Sequence, residues 1–156
     1  MRISFALLII ILSGCSTSGL PTNASRALRN AETLELFSLD PEIRDKTDDP
    51  TTFHGWVILG STKLQDGNLR DSLIDALEKG VAENDGAAAG CYDPRHGIRG
   101  TYNGKQHDFV ICFQCFQARW YIDDVENQGF LLSQSPQPTF DKLLRDASVA
   151  LPAPAY

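Results

Sequence analysis

The sequence lacks the usual marks of an enzyme or a nucleic-acid-binding protein. Its 156 residues contain no Ser-His-Asp spacing, paired-carboxylate motif, Gly-rich phosphate loop or EF-hand loop. Basic residues are also few, since 14 Lys+Arg stand against 20 Asp+Glu and the net charge is −6 at pH 7. This acidic balance argues against a basic patch that would bind nucleic acid or an anionic bilayer, and we expect no nucleic-acid partner.

Long hydrophobic runs are absent apart from residues 3–12, close to the N-terminus. This run of ten residues, apolar except for Ser4, is too short to span a bilayer, but it suits the apolar region of a secretory signal. Arg2 supplies the positive charge that precedes such a region. The pattern therefore predicts a signal peptide over residues 1–14.

A lipobox follows directly, as Leu12-Ser13-Gly14-Cys15. An aliphatic residue, two small residues and a cysteine are the pattern at which bacterial lipoproteins are cleaved and lipidated. We predict that Cys15 carries the lipid, which anchors the chain to a membrane without a transmembrane helix. The predicted location is the periplasmic side of the cell envelope, with Ser16 favouring the outer over the inner membrane.

The remaining chain divides into a tether, one domain and a short tail. Residues 15–31 are small and polar, and predict a flexible tether. About 140 residues suit one domain with a single core, which we place at residues 32–151. Residues 152–156 are the tail. Without Arg2 the mature chain has 13 Lys+Arg against 20 Asp+Glu, a net charge of −7.

Hydrophobic periodicity divides the domain into strands and helices. Strands are predicted at residues 33–40, 53–64, 107–122 and 130–134, helices at 68–84 and 138–148, and a turn at 123–129. The first helix rests on a stripe of Leu69, Leu73, Leu77 and Val81. The order is ββα-ββ(β)α, so the predicted fold class is α+β, an antiparallel sheet with two helices packed on one face.

The stretch CYDPRHGIRGTYNGKQHDFVICFQC, residues 91–115, predicts a hairpin. Asn103-Gly104 is typical of a two-residue type I′ turn between strands. That turn places Arg99 opposite Asp108, which gives a cross-strand charge pair. The pairing fixes the register of the hairpin.

Three cysteines in this stretch remain once Cys15 is lipidated, and an odd number leaves at least one thiol over. If residues 107–122 form one strand, Cys112 and Cys115 point to opposite faces and cannot bridge each other. Cys91 then pairs with one of them, and Cys112 is favoured by the parity of the hairpin.

Other interpretations of the same residues stay open. Cys115 can be a small core residue. Cys91, His96, Cys112 and Cys115 have the residue types of a zinc site, although the strand geometry counts against it. A thiolate nucleophile assisted by Arg95 or His96 is a further alternative. The simpler reading of Arg95 and His96 is that they satisfy backbone carbonyls or Asp93.

The chain resembles a family of uncharacterised bacterial secreted proteins and lipoproteins. Its members carry C-[FY]-x-P-R-H-G-I, then a short hairpin, then a D-x-V-I-C-F-x-C strand. The resemblance covers residues 32–151 and implies one intact domain, and it carries no activity, substrate, cofactor or catalytic residue over to this chain. The matching positions are Cys91, Pro94, Arg95, His96, Gly97, Asp108, Cys112 and Cys115.

Two functions follow from the sequence. The favoured one is a lipid-anchored binding or accessory domain with no chemistry and no cofactor, whose partner is a protein or small molecule. The alternative is a small thiol- or zinc-dependent enzyme centred on residues 91–115. The sequence contains no recognised catalytic set, so we favour the first.

Overall fold

A computed structural model describes residues 19–44 and 50–153 of the chain. These residues form seven strands and three helices. In chain order they are α1 (Thr22–Arg29), β1 (Thr33–Arg44), β2 (Thr52–Phe53), β3 (Trp56–Lys63), α2 (Gly67–Glu83), β4 (His96–Tyr102), β5 (Lys105–Cys112), β6 (Gln117–Ile122), β7 (Val125–Leu131) and α3 (Gln137–Asp146). The predicted signal peptide and the predicted lipidation site, Cys15, lie outside the described residues.

All seven strands join one antiparallel sheet in the order β2-β3-β1-β4-β5-β6-β7. Three of its hairpins close through two residues with positive φ, namely His54-Gly55, Asn103-Gly104 and Asp123-Asp124. This is the signature of the type I′ turn, whose twist matches that of the strands. The α+β class and the Asn103-Gly104 turn are confirmed, whereas the predicted turn over residues 123–129 is wrong, because only two residues turn.

The predicted order of elements, with two helices, is also wrong. The structure has a third helix, α1, inside the segment predicted as a tether. Its Ala24 and Leu28 are buried in the main core, and Arg29 on its outer face pairs with Asp75 and Glu78 of α2. Residues 22–29 are therefore part of the domain and not a flexible linker, because their small side chains fit closely against the core.

Helices α2 and α3 match the two predicted helices. Leu73, Leu77 and Val81 of the predicted stripe are buried, as are Phe140, Leu143 and Leu144 of α3. Both helices share one core with α1 and with sheet residues such as Ile98, Phe109 and Ile111. Within the described residues, no helix combines the length and apolar character needed to cross a bilayer.

The long strand predicted over residues 107–122 is broken in two. Residues 113–116 form a turn between β5 and β6, and Phe116 takes a φ of 57° at its end. Cys112 is the last residue of β5 and pairs with Gln117 of β6. This turn invalidates the parity argument for the cysteines, since Cys115 is not in a strand.

On the opposite face of the sheet lies a smaller apolar cluster, formed by Phe37, Leu39, Phe53, Trp56 and Val110. Beside it, Arg99 and Asp108 pair across β4 and β5 in the predicted register. Arg99 donates two hydrogen bonds, of 2.9 and 2.7 Å, to the two oxygens of Asp108. Its guanidinium lies over the rings of Phe37 and Phe53, which adds cation–π attraction.

Asp108 is buried, and its carboxylate also accepts hydrogen bonds from His54 and Gln106. Burial alone raises the pKa of Asp108, but the hydrogen bonds from Arg99 and His54 and their charges outweigh it, so the pKa is lowered. A depressed carboxyl pKa stabilises the fold above the unfolded-state value of about 4, and this stabilisation is lost as the pH falls below it.

We predict that Asp108→Asn lowers the free energy of unfolding by about 2–3 kcal/mol at pH 7, since it leaves Arg99 without its counter-charge. Arg99 keeps about a third of its side chain exposed, so the loss is smaller than for a fully buried pair. Urea unfolding between pH 3 and pH 7 measures both effects. The matched control is Asp71→Asn on the exposed face of α2, which changes stability by less than about 0.5 kcal/mol. Equal losses in the two variants would contradict the assignment.

Candidate functional site

The turn between β5 and β6 brings two cysteines together. Cys112 ends β5, Cys115 lies three residues later within the turn, and the two form a disulfide with their Cα atoms 5.2 Å apart. This corrects the expectation that the two sulfurs leave opposite faces. A Cys-x-x-Cys set in a turn, unlike one inside a strand, is typical of redox and metal sites.

The loop of residues 84–95, between α2 and β4, brings the third cysteine to the same place. The backbone N–H of Ala89 donates to the carbonyl oxygen of Cys115 at 3.0 Å, and the side chain of Gln117 donates to the carbonyl of Ala89 at 2.6 Å. These bonds hold the loop against the turn, and Cys91 follows two residues later. The Cys91 thiol donates to the Cys115 sulfur at 2.9 Å.

The three sulfurs therefore converge, and each lies within 4.8 Å of the others. Their exposure differs, because Cys112 and Cys115 are 1 % and 0 % exposed whereas Cys91 is exposed and free. The predicted disulfide from Cys91 to either partner is thus wrong in this structure. The arrangement is an exposed thiol beside a buried disulfide.

Backbone N–H groups also point at the buried sulfurs. The N–H of Asp93 donates to the sulfur of Cys115 at 3.4 Å, and the N–H of Cys115 donates to the sulfur of Cys112 at 3.2 Å. Donors of this kind favour negative charge on the atom that accepts them. When the disulfide opens, they stabilise the thiolates that are released.

His96 does not join the sulfurs. It is 1 % exposed, its Nε2 lies 2.8 Å from Oδ1 of Asp141, and its ring packs edge-on against Phe113 and Phe140. Burial lowers the pKa of His96, although the bond to Asp141 opposes this, so the ring is neutral at pH 7. The structure therefore does not bring His96 to the three sulfurs with which the sequence interpretation grouped it as a zinc site, because the histidine faces α3.

Arg95 links the turn to the end of the described chain. It donates to the side-chain carbonyl of Gln114, inside the Cys-x-x-Cys turn, and its Nε donates to the carbonyl of Ala153 at 3.4 Å. Arg95 thus positions the turn and not a substrate of the thiols. This agrees with the simpler sequence interpretation, in which Arg95 makes structural hydrogen bonds.

Sequence reasoning missed Asp141, Gln114 and His54. The first two lie 45 and 19 residues from the partners they bind, and no local pattern signals such pairs. His54 lies on a type I′ turn, and its Nε2 is 2.8 Å from Asp108, 54 residues away in sequence. With Asp124 these two residues form a potential ligand group, but Arg99 already occupies both oxygens of Asp108.

Comparisons of the chain with protein-family models, with curated proteins and with solved structures find no match. The resemblance to uncharacterised bacterial lipoproteins therefore stays a prediction.

We predict that the folded protein, with Cys15 replaced by alanine and without reductant, takes up one maleimide label, and that peptide mapping places it on Cys91. Cys112 and Cys115 stay unlabelled even in denaturant, because their sulfurs are joined and the label has trapped the exposed thiol. Cys91→Ser is the control and takes up no label. A label on Cys112 or Cys115 in the protein that retains Cys91 would contradict this assignment.

Proposed function

We propose that the chain is a lipid-anchored protein of the bacterial cell envelope, whose domain exchanges thiols and disulfides with partner proteins. The observation that carries the proposal is the exposed Cys91 thiol, 2.9 Å from a sulfur of the buried Cys112–Cys115 disulfide. Thiol–disulfide exchange needs a nucleophilic sulfur in contact with a disulfide sulfur and access for a second molecule. Cys91 meets both needs.

The internal step is an exchange at Cys115. The Cys91 thiolate attacks the Cys115 sulfur, the Cys91–Cys115 bond forms and the Cys112–Cys115 bond breaks. Cys112 leaves as a thiolate and takes up a proton in place of the one that Cys91 lost. No net oxidation occurs, so the step moves the free thiol between an exposed and a buried position.

A partner protein enters through Cys91 of the reduced chain. The Cys91 thiolate attacks a partner disulfide, forming a mixed disulfide and releasing one partner thiol. The Cys115 thiolate then attacks the Cys91 sulfur and releases the second partner thiol. The internal step, run in reverse, leaves the Cys112–Cys115 disulfide and a free Cys91. The partner disulfide has been reduced and two thiols of the chain oxidised, and a partner dithiol reverses the sequence.

The proposed location rests on the sequence alone, through the apolar run and the lipobox at Cys15. It agrees with the proposed chemistry, because disulfides persist outside the bacterial cytoplasm. Residues 16–21 would then be the link between the lipid and α1, a shorter one than the sequence predicted.

Lipidation is tested in a bacterium that expresses the full-length gene. We expect the mature protein to begin at Cys15, to carry acyl chains visible by mass spectrometry and to sediment with the outer membrane. Cys15→Ala is expected to abolish the modification, since the thiol is the acceptor. A mature protein that retains Met1, or that starts at an unmodified Cys15, would refute the location.

Exchange is tested on the domain with Cys15 replaced in every variant, so that only three thiols remain. We predict that the reduced protein reacts with oxidised glutathione about tenfold or more faster than its Cys91→Ser variant, because the exposed nucleophile is lost. Acid-quenched mass spectrometry follows the mixed disulfide. Equal rates in the two proteins would exclude Cys91 as the entry point.

The internal step, in which Cys115 exchanges its bond to Cys112 for a bond to Cys91, has a separate test. Oxidised Cys112→Ser is expected to form a Cys91–Cys115 disulfide, since those sulfurs already touch, whereas Cys115→Ser leaves Cys91 much slower to oxidise. Peptide mapping identifies the bond. Two free thiols in the oxidised Cys112→Ser variant would contradict the internal step.

A binding or accessory function without chemistry is the second candidate, and a cleft favours it. This cleft of about 420 Å³ lies between β1, β3, α2 and β4, within the size range of small-molecule sites. Lys63, Arg70 and Arg99 line it together with Glu32 and Glu35, so a polar ligand suits it. If the chain shows no exchange, this cleft is where a ligand would be sought.

A further inference from the structure

We propose that the reduced protein binds one Cu(I) ion through the thiolates of Cys91, Cys112 and Cys115. The site shares its sulfurs with the proposed exchange reaction but does not depend on it, because metal binding needs only three reduced thiols held close together. The inference assigns the cluster a ligand class, the soft monovalent metal ions.

The spacing of the sulfurs fits a three-coordinate ion. A metal–thiolate bond of about 2.3 Å places three sulfurs about 4 Å apart when they surround one ion in a plane. The three sulfurs here all lie within 4.8 Å of one another. Once the Cys112–Cys115 bond is reduced, rotation of the two side chains separates those sulfurs so that all three surround one ion.

The donor set selects the metal. Within residues 19–44 and 50–153, no histidine or carboxylate joins the three sulfurs, and His96 is held by Asp141. Zinc in closed protein sites takes four ligands, one more than the three sulfurs supply. Magnesium and calcium take oxygen ligands, so sulfur does not suit them. Soft thiolate ligands favour Cu(I), for which three sulfurs complete the coordination.

The surroundings supply entry and support. Cys91 is exposed and gives an incoming ion its first ligand, whereas Cys112 and Cys115 are buried and shield the ion from water. The N–H groups of Asp93 and Cys115 donate to the sulfurs of Cys115 and Cys112, and such bonds orient metal-binding thiolates. The turn and the loop thus form a preorganised pocket of sulfur.

The test is an anaerobic titration of the chain with Cys15 replaced by alanine, reduced with a phosphine and freed of the reductant. Cu(I) is supplied as its bicinchoninate complex, whose colour reports the metal that the protein removes. We expect one equivalent of Cu(I) per chain, and X-ray absorption of the loaded protein is expected to show three sulfur neighbours. Uptake of less than one equivalent, or a copper with two sulfurs only, would overturn the proposal.

Variants separate the ligands from their neighbours. Each of Cys91→Ser, Cys112→Ser and Cys115→Ser is expected to weaken Cu(I) binding at least about tenfold, since each removes a ligand. Asp71→Asn, on the exposed face of α2, is the control and is expected to leave the affinity for Cu(I) unchanged. An equal loss of affinity in this variant would contradict the assignment of the three ligands. Circular dichroism checks that each variant is folded. Preferential, stoichiometric zinc binding would overturn the choice of metal.

The outcomes for copper and for exchange are distinguishable. A protein that reacts with oxidised glutathione but takes up no Cu(I) retains the proposed function and refutes this inference. A protein that binds Cu(I) through three sulfurs but shows no Cys91-dependent exchange supports the metal site and refutes the proposed function.

Discussion

The arrangement of the site depends on one tight turn, residues 113–116 between β5 and β6. It ends β5 at Cys112 and holds Cys115 beside that residue, with Phe116 in the left-handed conformation before β6 begins. The carbonyl and the sulfur of Cys115 then accept the N–H groups of Ala89 and Asp93. The loop that carries Cys91 is therefore held by the same turn, and three cysteines separated by up to 24 residues meet at one point.

Local patterns predicted most of the secondary structure but not this turn. The stripe of α2 and the Asn103-Gly104 hairpin are encoded by residues close in sequence. The hairpin is confirmed, and Leu73, Leu77 and Val81 of the stripe are buried as predicted, whereas Leu69 is 44 % exposed. The turn at 113–116 contains no glycine, proline or asparagine, and Phe116 takes a φ that bulky residues rarely adopt. The apolar pattern of residues 107–122 therefore predicts one strand. The prediction that Cys112 and Cys115 point to opposite faces followed from that strand and is wrong.

Tertiary contacts account for the other errors. Helix α1 has small buried residues, and its stability comes from packing on the core and from the pairing of Arg29 with α2, 46 and 49 residues away. The zinc interpretation of His96 failed because α3, which brings Asp141 to the ring, follows much later in the chain. The pairing of Arg99 with Asp108 was predicted correctly because a nearby turn sets the register of the two strands.

The central claim is that an exposed Cys91 thiol touches a buried Cys112–Cys115 disulfide. Nuclear magnetic resonance of the native protein, labelled with ¹³C and ¹⁵N, tests it most directly. The account predicts Cβ shifts of oxidised cysteine for Cys112 and Cys115, a shift of reduced cysteine for Cys91, and cross-relaxation between the β protons of Cys91 and Cys115. Three reduced cysteines in the air-oxidised protein, or no cross-relaxation between those two residues, would contradict it.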